Sequence, residues 1–578
     1  MEKQTVIELR GITKRFGASV IANNNVSMDV KKGEILSVLG ENGCGKTTLM
    51  NMLAGIYYPD EGTIFINGEE ASIRSPKDAF RYNIGMIHQH FKLIDVFSAA
   101  ENIVIGTGKG EKYDIKAAKN RIRTMSEKYG FHIELDKKVH EMSVSEKQTV
   151  EIVKALYRGA DVLILDEPTA VLTPQEIDRL FNVLRAMRAD GKSVIIITHK
   201  LNEVMAISDR VTVLRKGEHV KTVNTAETNE KELADMMVGQ KVTLNIDRPM
   251  PENCELRLDV KGLSLMGKEG NLVLDDVSFS AYSGEILGVA GIAGSGQREM
   301  LESIAGLHHL ENGRVTYYNP KKDKPITFYH KTFERVMELA EEGMLRYADG
   351  RDFTGKDSSG KPLSKKTIRA QVEAGEVFFK ENEVINLREK TPLQIRELGV
   401  RFSFVPEDRL GMGLVGNMDI VDNMMLRSYR RGKSVFVDRK APEHLAKEII
   451  ASLQVATPDT HTPVRRLSGG NVQKVLVGRE IAAGPRVLMA AYPVRGLDIN
   501  SSYAIYNLLT EQKKNGVAVI FVGEDLDVLL ALCDRILVVA GGKVMGVVDA
   551  RNAKKEEIGL MMTGAVPKNE EKQEGGSL

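Results

Sequence analysis

The chain has 578 residues, which exceeds what one hydrophobic core usually supports, so its length predicts at least two domains. Lys and Arg total 80 against 79 for Asp and Glu, and this balance excludes the strongly positive surface that marks a nucleic-acid partner. The three cysteines have no metal-type spacing, and no apolar run approaches the roughly 18 residues of a membrane helix, so we expect a reducing compartment and no spans.

Each half of the chain predicts a mixed α/β domain. Opening strands are followed by a glycine loop that leads into a helix, "KTTLMNMLAG", then by a helical middle and apolar strands such as "DVLILD" and "SVIIIT". These apolar runs do not alternate with polar residues, which is typical of parallel strands covered on both faces. The pattern therefore favours a core sheet that is mostly parallel.

The segment "GENGCGKTT" follows the apolar strand "EILSVL" and satisfies the pattern G-x-x-x-x-G-K-[ST]. Its glycines let backbone N–H groups approach phosphates, Lys46 would neutralise the β and γ phosphates, and Thr47 would ligate Mg²⁺. The whole segment is predicted to bind ATP, namely Gly40, Glu41, Asn42, Gly43, Cys44, Gly45, Lys46, Thr47 and Thr48.

The strand "VLILDEP" brings two carboxylates to one edge of the predicted sheet. Asp166 suits a water-mediated hold on magnesium, and Glu167 suits a general base that orients the attacking water. Together with the phosphate loop, this pair indicates nucleotide hydrolysis.

The chain also repeats itself. "VSMDVKKGEILSVLG" recurs as "VSFSAYSGEILGVAG", and "MSVSEKQTVEIVKALYRGADVLILDEP" recurs as "LSGGNVQKVLVGREIAAGPRVLMAAYP". We expect a first domain at 1–240, a linker at 241–255, a second domain at 256–564 and a disordered tail at 565–578. The second copy contains an insertion at about 319–386, for which the sequence suggests only a docking or regulatory role.

With "IGMIHQHF", "IIIITHK" and the segment "LSGGN", the chain resembles the ATP-binding cassette family. The resemblance implies two tandem cassettes of the P-loop NTPase class, each with a β-rich and a helical subdomain. It assigns Gln89 to catalysis and magnesium, His199 to the catalytic switch, and Phe16 to stacking on adenine. A metal pair of His88 and His90 is the alternative for the residues beside Gln89, although packing at a strand end is favoured.

Cassettes of this family pack head to tail, so the signature of one cassette completes the ATP site of the other. The intact signature lies in the second copy and would bind ATP through Ser468, Gly469, Gly470 and Asn471. The first copy has "MSVSE" at the corresponding place, which departs from the motif.

The second copy departs from the nucleotide motifs at each chemical position. The residues that replace Lys46, Thr47, Gln89, Asp166, Glu167 and His199 are, in that order, Gln297, Arg298, Glu407, Ala491, Tyr492 and Glu524. Loss of the lysine forfeits roughly 1.5–3 kcal/mol of charge-assisted bonding, and loss of a general base costs roughly 10²–10⁴ in rate. The sequence therefore predicts one competent composite site and one degenerate site, and leaves open whether the latter is a structural nucleotide clamp.

Tandem cassettes with this asymmetry resemble the ATPase subunit of bacterial importers for simple sugars and nucleosides. The resemblance implies two transmembrane permease subunits, an extracellular substrate-binding lipoprotein and a peripheral position on the cytoplasmic face of the cell membrane. "HQHF" and "SVSEKQ" are most similar to the nucleoside branch, with a pentose or hexose as the alternative. A soluble translation factor acting on the ribosome is the other class, but it usually has two competent sites and a long charged helical linker.

Overall fold

A computed structural model describes residues 4–17, 20–89, 91–106, 114–170, 172–239, 246–267, 270–322, 324–326, 333–357, 359–429 and 438–565. Residues 241–245 of the expected linker and 566–578 of the expected tail lie outside the described residues, as does His90 of the alternative metal pair. Contacts divide the chain into two compact units. Unit 1 comprises Met1–Ile246, Gly496–Ile505 and Lys554–Leu578, and unit 2 comprises Asp247–Arg495 and Tyr506–Ala553.

In the described part of the first copy, unit 1 has ten strands and eight α-helices. The strands are β1 Thr5–Phe16, β2 Val20–Lys31, β3 Ile35–Leu39, β4 Glu61–Ile66, β5 Glu69–Ala71, β6 Ile84–Ile87, β7 Val162–Asp166, β8 Ser193–Thr198, β9 Arg210–Arg215 and β10 Glu218–Asn224. The helices are α1 Lys46–Leu53, α2 Pro76–Arg81, α3 Ala99–Val104, α4 Ile115–Tyr129, α5 Val144–Tyr157, α6 Pro174–Ala189, α7 Leu201–Ile207 and α8 Glu230–Val238.

The second copy supplies the elements of unit 2. Its strands are β11 Leu256–Met266, β12 Leu272–Tyr282, β13 Ile286–Ala290, β14 Asn312–Asn319, β15 Leu345–Tyr347, β16 Val377–Phe379, β17 Glu383–Asn386, β18 Phe402–Val405, β19 Val487–Ala491, β20 Ala518–Val522, β21 Arg535–Ala540 and β22 Lys543–Asp549. Its helices are α9 Gln297–Ile304, α10 Phe333–Glu341, α11 Lys365–Glu373, α12 Pro392–Glu397, α13 Ile420–Met425, α14 Lys440–Ser452, α15 Gly469–Ala482, α16 Ile499–Lys514 and α17 Leu526–Leu532.

Two segments of the second copy belong to unit 1. Helix α16 begins there and ends in unit 2, and the last helix, α18 Lys555–Met562, lies wholly in unit 1. Helix α18 packs against α6, where the Gln175 side-chain Nε2 donates a hydrogen bond of 2.7 Å to the Glu556 carbonyl oxygen.

Each unit contains a six-stranded and a four-stranded sheet. In unit 1 the strand orders are β10-β9-β3-β8-β7-β6 and β2-β1-β4-β5. The larger sheet is parallel except at β10, whereas the smaller one is antiparallel. All residues of β3, β7 and β8 are buried, because helices or the second sheet cover both faces. The predicted α/β class with a mostly parallel core sheet is confirmed.

Unit 2 repeats this architecture with the orders β18-β19-β20-β13-β21-β22 and β12-β11-β14-β17. Its core lies between the two sheets, where residues such as Leu287, Val289, Tyr317 and Ile520 are fully buried. Among the helices described in either unit, none is both long enough and apolar enough to cross a membrane.

The inserted segment lies between two paired strands of unit 2. Strand β14 pairs with β17, with Asn319 opposite Glu383. In unit 1 the corresponding strands β4 and β5 are joined by Asn67 and Gly68 alone, whose φ values of 51° and 87° are those of a tight hairpin turn. The insertion has a core of its own, in which Val336, Leu345, Phe353, Ile368, Val372 and Val377 are buried.

Replacing residues 320–382 with Asn-Gly should therefore restore the hairpin of the first copy and leave unit 2 folded. We expect circular dichroism to show an unchanged cooperative melt, and we expect a fluorescent ATP analogue to bind with unchanged affinity. A matched deletion closed with Val-Val should melt lower, because β-branched residues do not adopt positive φ at low cost. Loss of ATP binding in the Asn-Gly variant would contradict the placement of the insertion.

Candidate functional site

The phosphate loop connects the buried strand β3 to helix α1. Gly45 precedes the helix with a φ of 94°, and a side chain at Gly40 would collide with the Leu214 carbonyl oxygen, so the backbone here requires glycine. Lys46 is only 5% exposed, and its Nζ donates to the carbonyl oxygens of Gly40 at 2.7 Å and Glu41 at 2.9 Å. The ammonium group thus lies within the concave loop that the sequence predicted.

The carboxyl ends of β7 and β8 bring the other predicted residues to the same place. The Thr47 hydroxyl donates to Asp166 Oδ1 at 3.2 Å. Glu167 lies between two predicted partners, with His199 Nδ1 at 2.9 Å from its Oε1 and Gln89 Nε2 donating to its Oε2 at 3.3 Å. The structure therefore brings six predicted residues of the first copy together at one sheet edge.

Glu167 adopts an unusual backbone conformation, with a φ of 47°. Its amide donates to the Ile197 carbonyl oxygen at 3.0 Å, which attaches the turn after β7 to strand β8. A left-handed non-glycine residue is uncommon and strained, and such residues concentrate at functional sites. The hydrogen bond from His199 lowers the pKa of Glu167, so its carboxylate stays ionised as a base must.

The pKa of the neighbouring carboxyl group, Asp166, is raised instead of lowered. Burial raises the pKa of Asp166 to about 6, against the hydrogen bond from Thr47, and the charge of Glu167 adds to the rise. A hydroxyl and a carboxylate at this spacing are the hard oxygen ligands that Mg²⁺ prefers, so the donor set fits this ion. Within the described ranges, no three His, Cys, Asp or Glu side chains are grouped as a metal centre, so ligands beyond Thr47, Asp166 and the predicted Gln89 would come from nucleotide and water.

A buried glutamate that the sequence reading missed joins the loops that hold Glu167 and His199. Glu203 accepts a hydrogen bond from the Thr169 hydroxyl at 2.7 Å and pairs with Lys200 at 3.0 Å. The Thr198 hydroxyl accepts from the Lys200 amide at 3.1 Å. Thr169 follows Glu167 by two positions, and Thr198 and Lys200 flank His199. These contacts therefore fix the distance between the loops that carry Glu167 and His199.

Asn23 of β2 is a second residue that the sequence reading missed. Its side chain is fully buried, and its Nδ2 donates to the Gly45 carbonyl oxygen at 3.2 Å. Phe16, predicted to stack on adenine, is 39% exposed and meets the Tyr57 ring edge-on at 5.2 Å. The Lys14 Nζ lies 5.8 Å from the centroid of the Phe16 ring, and the adenine assignment stays a prediction.

In unit 2 the corresponding loop has the same backbone conformation, but different side chains stand at the positions of Lys46 and Thr47. Gly296 has the same φ of 94° as Gly45. Gln297 is buried where the lysine would be, and its Nε2 donates to the Ile292 carbonyl oxygen at 3.1 Å. Arg298, at the position of Thr47, pairs with Glu302 on its own helix at 3.3 Å and has no hydroxyl that could bind a metal ion.

The other replaced positions of unit 2 form a closed ion-pair cluster. Tyr492 keeps the left-handed backbone of Glu167, with a φ of 49°, and burial raises its pKa to about 12. Arg495 pairs with Glu407 and, at 3.0 Å, with Glu524, and its guanidinium lies 5.8 Å from the Tyr492 ring centroid. Ala491 is buried and has no oxygen to offer a metal ion. Arg495 thus pairs with both glutamates that stand at the positions of Gln89 and His199.

The two signature segments differ in how they begin their helices. Ser143 caps α5 through a reciprocal capping box, in which its hydroxyl accepts from the Glu146 amide at 3.2 Å and its amide donates to Glu146 Oε2 at 2.7 Å. Ser468 provides no side-chain cap for α15, and its hydroxyl accepts from Asn471 Nδ2 at 2.9 Å. The first turn of α15, at Gly469 and Gly470, therefore keeps backbone N–H groups available for an anion.

The chain is similar in sequence to several known proteins. A family model described as ABC transporter matches residues 23–170. The nucleoside import ATP-binding protein NupA of Lactococcus lactis subsp. cremoris is 36% identical, over 98% of this chain and 99% of its own length. The guanosine import ATP-binding protein NupO of Bacillus subtilis is 37% identical over 99% of each chain. The ribose import ATP-binding protein RbsA 1 of Rubrobacter xylanophilus is 35% identical over 97% of this chain and 98% of its own.

The raised pKa of Asp166 predicts a pH-dependent cost to stability in the absence of nucleotide. Between the unfolded pKa near 3.8 and the folded pKa of about 6, the folded chain keeps a proton that the unfolded chain has lost, so rising pH destabilises the fold. Asp166→Asn should stabilise the magnesium-free chain at pH 7.5 by ~1–2 kcal/mol, and this gain should vanish near pH 4.

Thermal unfolding midpoints across this pH range provide the measurement. The matched control is Asp178→Asn, at an exposed carboxylate on α6, which should show no such trend. A gain for Asp166→Asn that is independent of pH would contradict the shifted pKa.

Proposed function

Because the chain belongs to the family of ABC-type import ATP-binding proteins, we propose that it is the ATP-hydrolysing subunit of an importer for nucleosides or simple sugars. The observation that carries the proposal is the assembly of Lys46, Thr47, Asp166, Glu167 and His199 at one sheet edge. The full-length relatives, whose names specify nucleoside, guanosine and ribose import, support the direction of transport and the range of substrates.

In the proposed reaction each residue of unit 1 has one task. The loop from Gly40 to Thr48 binds the phosphates of ATP, and Lys46 neutralises their charge. Thr47 and Asp166 would hold Mg²⁺, which when bound supplies positive charge to the β and γ phosphates. Glu167 accepts a proton from the attacking water, while His199 and Gln89 hold the carboxylate in place.

We further propose that hydrolysis occurs at one composite site, completed by the signature of the second copy. The uncapped α15 supports this assignment, because an anion is stabilised by free N–H groups at a helix N-terminus. In α5 the Glu146 carboxylate already occupies that position and would repel phosphate. Asp498, which belongs to unit 1, adds to burial in raising the pKa of Glu41, so a second-copy segment lies near the phosphate loop.

We propose that the degenerate site of the second copy does not hydrolyse ATP. Gln297, Arg298, Ala491 and Tyr492 supply neither a phosphate-neutralising lysine nor a base, and Arg495 already satisfies Glu407 and Glu524.

We propose that two transmembrane permease subunits hold the protein at the cytoplasmic face of the membrane, and that an extracellular lipoprotein delivers the substrate. Exposed apolar side chains follow both glutamine-loop positions, as a docking surface requires. They are Ile94 and Val96 in the first copy, and Leu410, Met412, Val415 and Met418 in the second. No comparison supports the translation-factor alternative, whereas the matched relatives are named for import.

The composite site predicts unequal effects of equivalent substitutions. Ser468→Arg should abolish ATP hydrolysis about as completely as Glu167→Gln, since both remove parts of one catalytic unit. Ser143→Arg, at the matched position of the first copy, should reduce turnover far less. Steady-state phosphate release from the assembled transporter measures all three, and equal damage from both arginines would contradict the pairing.

The transported substrate can be tested on the native complex purified from membranes. Its extracellular binding subunit should show a higher melting temperature with nucleosides than with pentoses or hexoses, because a ligand stabilises only the state that binds it. If only sugars raise the melting temperature of the binding subunit, the transported substrate is a sugar and not a nucleoside. Recovery of the ATPase with ribosomes rather than with permease would overturn the importer proposal.

A further inference from the structure

Two arginines begin adjacent strands at the edge of the unit 2 core sheet that lies opposite the degenerate nucleotide site. Arg401 precedes β18 and Arg486 precedes β19, and these parallel strands are paired with Phe402 opposite Val487. The Arg486 amide donates to the Arg401 carbonyl oxygen at 2.8 Å, so the two residues lie side by side. Like charges on neighbouring strands destabilise a sheet unless something neutralises them.

The first copy has a neutralised pair at these positions. Asn83 precedes β6 and Asp161 precedes β7, and Asn83 Nδ2 donates to Asp161 Oδ2 at 2.8 Å. Lys192 also pairs with Asp161 at 2.6 Å. The second copy has therefore exchanged a complementary pair for two cations.

A third cation, Arg257 at the start of β11, reaches the same corner. Leu258, its neighbour, pairs with Tyr317, and the Tyr317 ring meets Phe402 edge-on at 5.4 Å. The Arg257 side chain is only 8% exposed, and its Nη2 donates to Glu255 Oε2 at 2.7 Å. Its Nε and Nη1 have no hydrogen-bond partner among the described residues, which is costly for a buried charged group.

The insertion supplies a fourth cation, Lys324, whose carbonyl oxygen accepts a hydrogen bond from the Phe379 amide at 3.1 Å. Partial burial and the charges of Arg486, Arg401 and Arg257 all lower the pKa of Lys324, so the four groups act on one another. In the part of the chain that the structure describes, Lys324, Arg401 and Arg486 form no ion pair. We call Arg257, Lys324, Arg401 and Arg486 the cationic corner.

We propose that the cationic corner is a binding site for a small phosphate-type oxyanion, separate from the ATP site. Planar guanidinium groups bind phosphate oxygens in pairs, and an anion here would offset the repulsion between Arg401 and Arg486 and lower the electrostatic cost of the buried Arg257 charge. The site lies at the amino ends of β18 and β19, about 20 Å along the strands from Tyr492, since a strand rises roughly 3.3 Å per residue. Only the second copy, which holds the insertion, has it.

The test uses the full chain with the substitution Lys46→Ala, which removes the phosphate-binding lysine of unit 1. This variant is titrated with inorganic pyrophosphate in a calorimeter, without magnesium and at constant ionic strength. We expect saturable binding. The double variant Arg401→Asn with Arg486→Asp recreates the pair of the first copy, so it should fold. It should weaken pyrophosphate binding by at least about tenfold, because it removes two charge-assisted contacts, and should melt higher than its parent without anion.

The matched control changes two exposed arginines elsewhere in unit 2, as Arg314→Gln with Arg396→Glu, which alters the net charge by the same amount, and should bind pyrophosphate like the parent. Lys324→Ala, at an exposed side chain, gives an independent reading and should weaken binding severalfold. Absence of saturable binding to the Lys46→Ala chain would overturn the proposal. So would an unchanged affinity in the Asn–Asp variant, or an equal loss in the control, which would indicate a general charge effect.

Discussion

The site of unit 1 depends on the parallel pairing of β3, β7 and β8. Parallel strands deliver their carboxyl ends to one edge, so the phosphate loop, the paired carboxylates and the switch histidine meet although they are far apart in the chain. The register is specific, with Leu39 opposite Thr198 and Asp166 opposite Ile197. A shift of one residue would send the side chains at these strand ends to the other face of the sheet, so the fully buried strands are what hold the catalytic distances.

A comparison of the two units distinguishes backbone features that the fold imposes from side chains that hydrolysis would require. Glu167 and Tyr492 share the same left-handed backbone, and the amide of each donates to the neighbouring strand at 3.0 Å. The strain therefore belongs to the turn after the strand rather than to a catalytic base. The chemistry depends on the side chains, and in unit 2 a single arginine pairs with two glutamates at that place.

The α/β class, the repeat and the meeting of Lys46, Asp166 and His199 at one sheet edge could be predicted because they follow from short contiguous patterns. Glycine spacing and strand composition report local geometry directly. The Glu203 contacts could not be predicted, since the role of a glutamate on a helix depends on which buried hydroxyl faces it. The capping box of Ser143 and Glu146 was readable in principle, because serine followed three residues later by glutamate is its signature, but it was interpreted only as a spoiled motif.

The placement of α18 in unit 1 has a consequence for how the chain matures. Synthesis proceeds from the amino terminus, so the first copy emerges long before Glu556, whose carbonyl oxygen Gln175 contacts. The face of α6 that receives α18 stays uncovered during that interval, and contacts between residues this distant in sequence form late and slowly. A chain that stops early would therefore leave unit 1 without its closing helix, and completion of the first cassette is coupled to translation of the second.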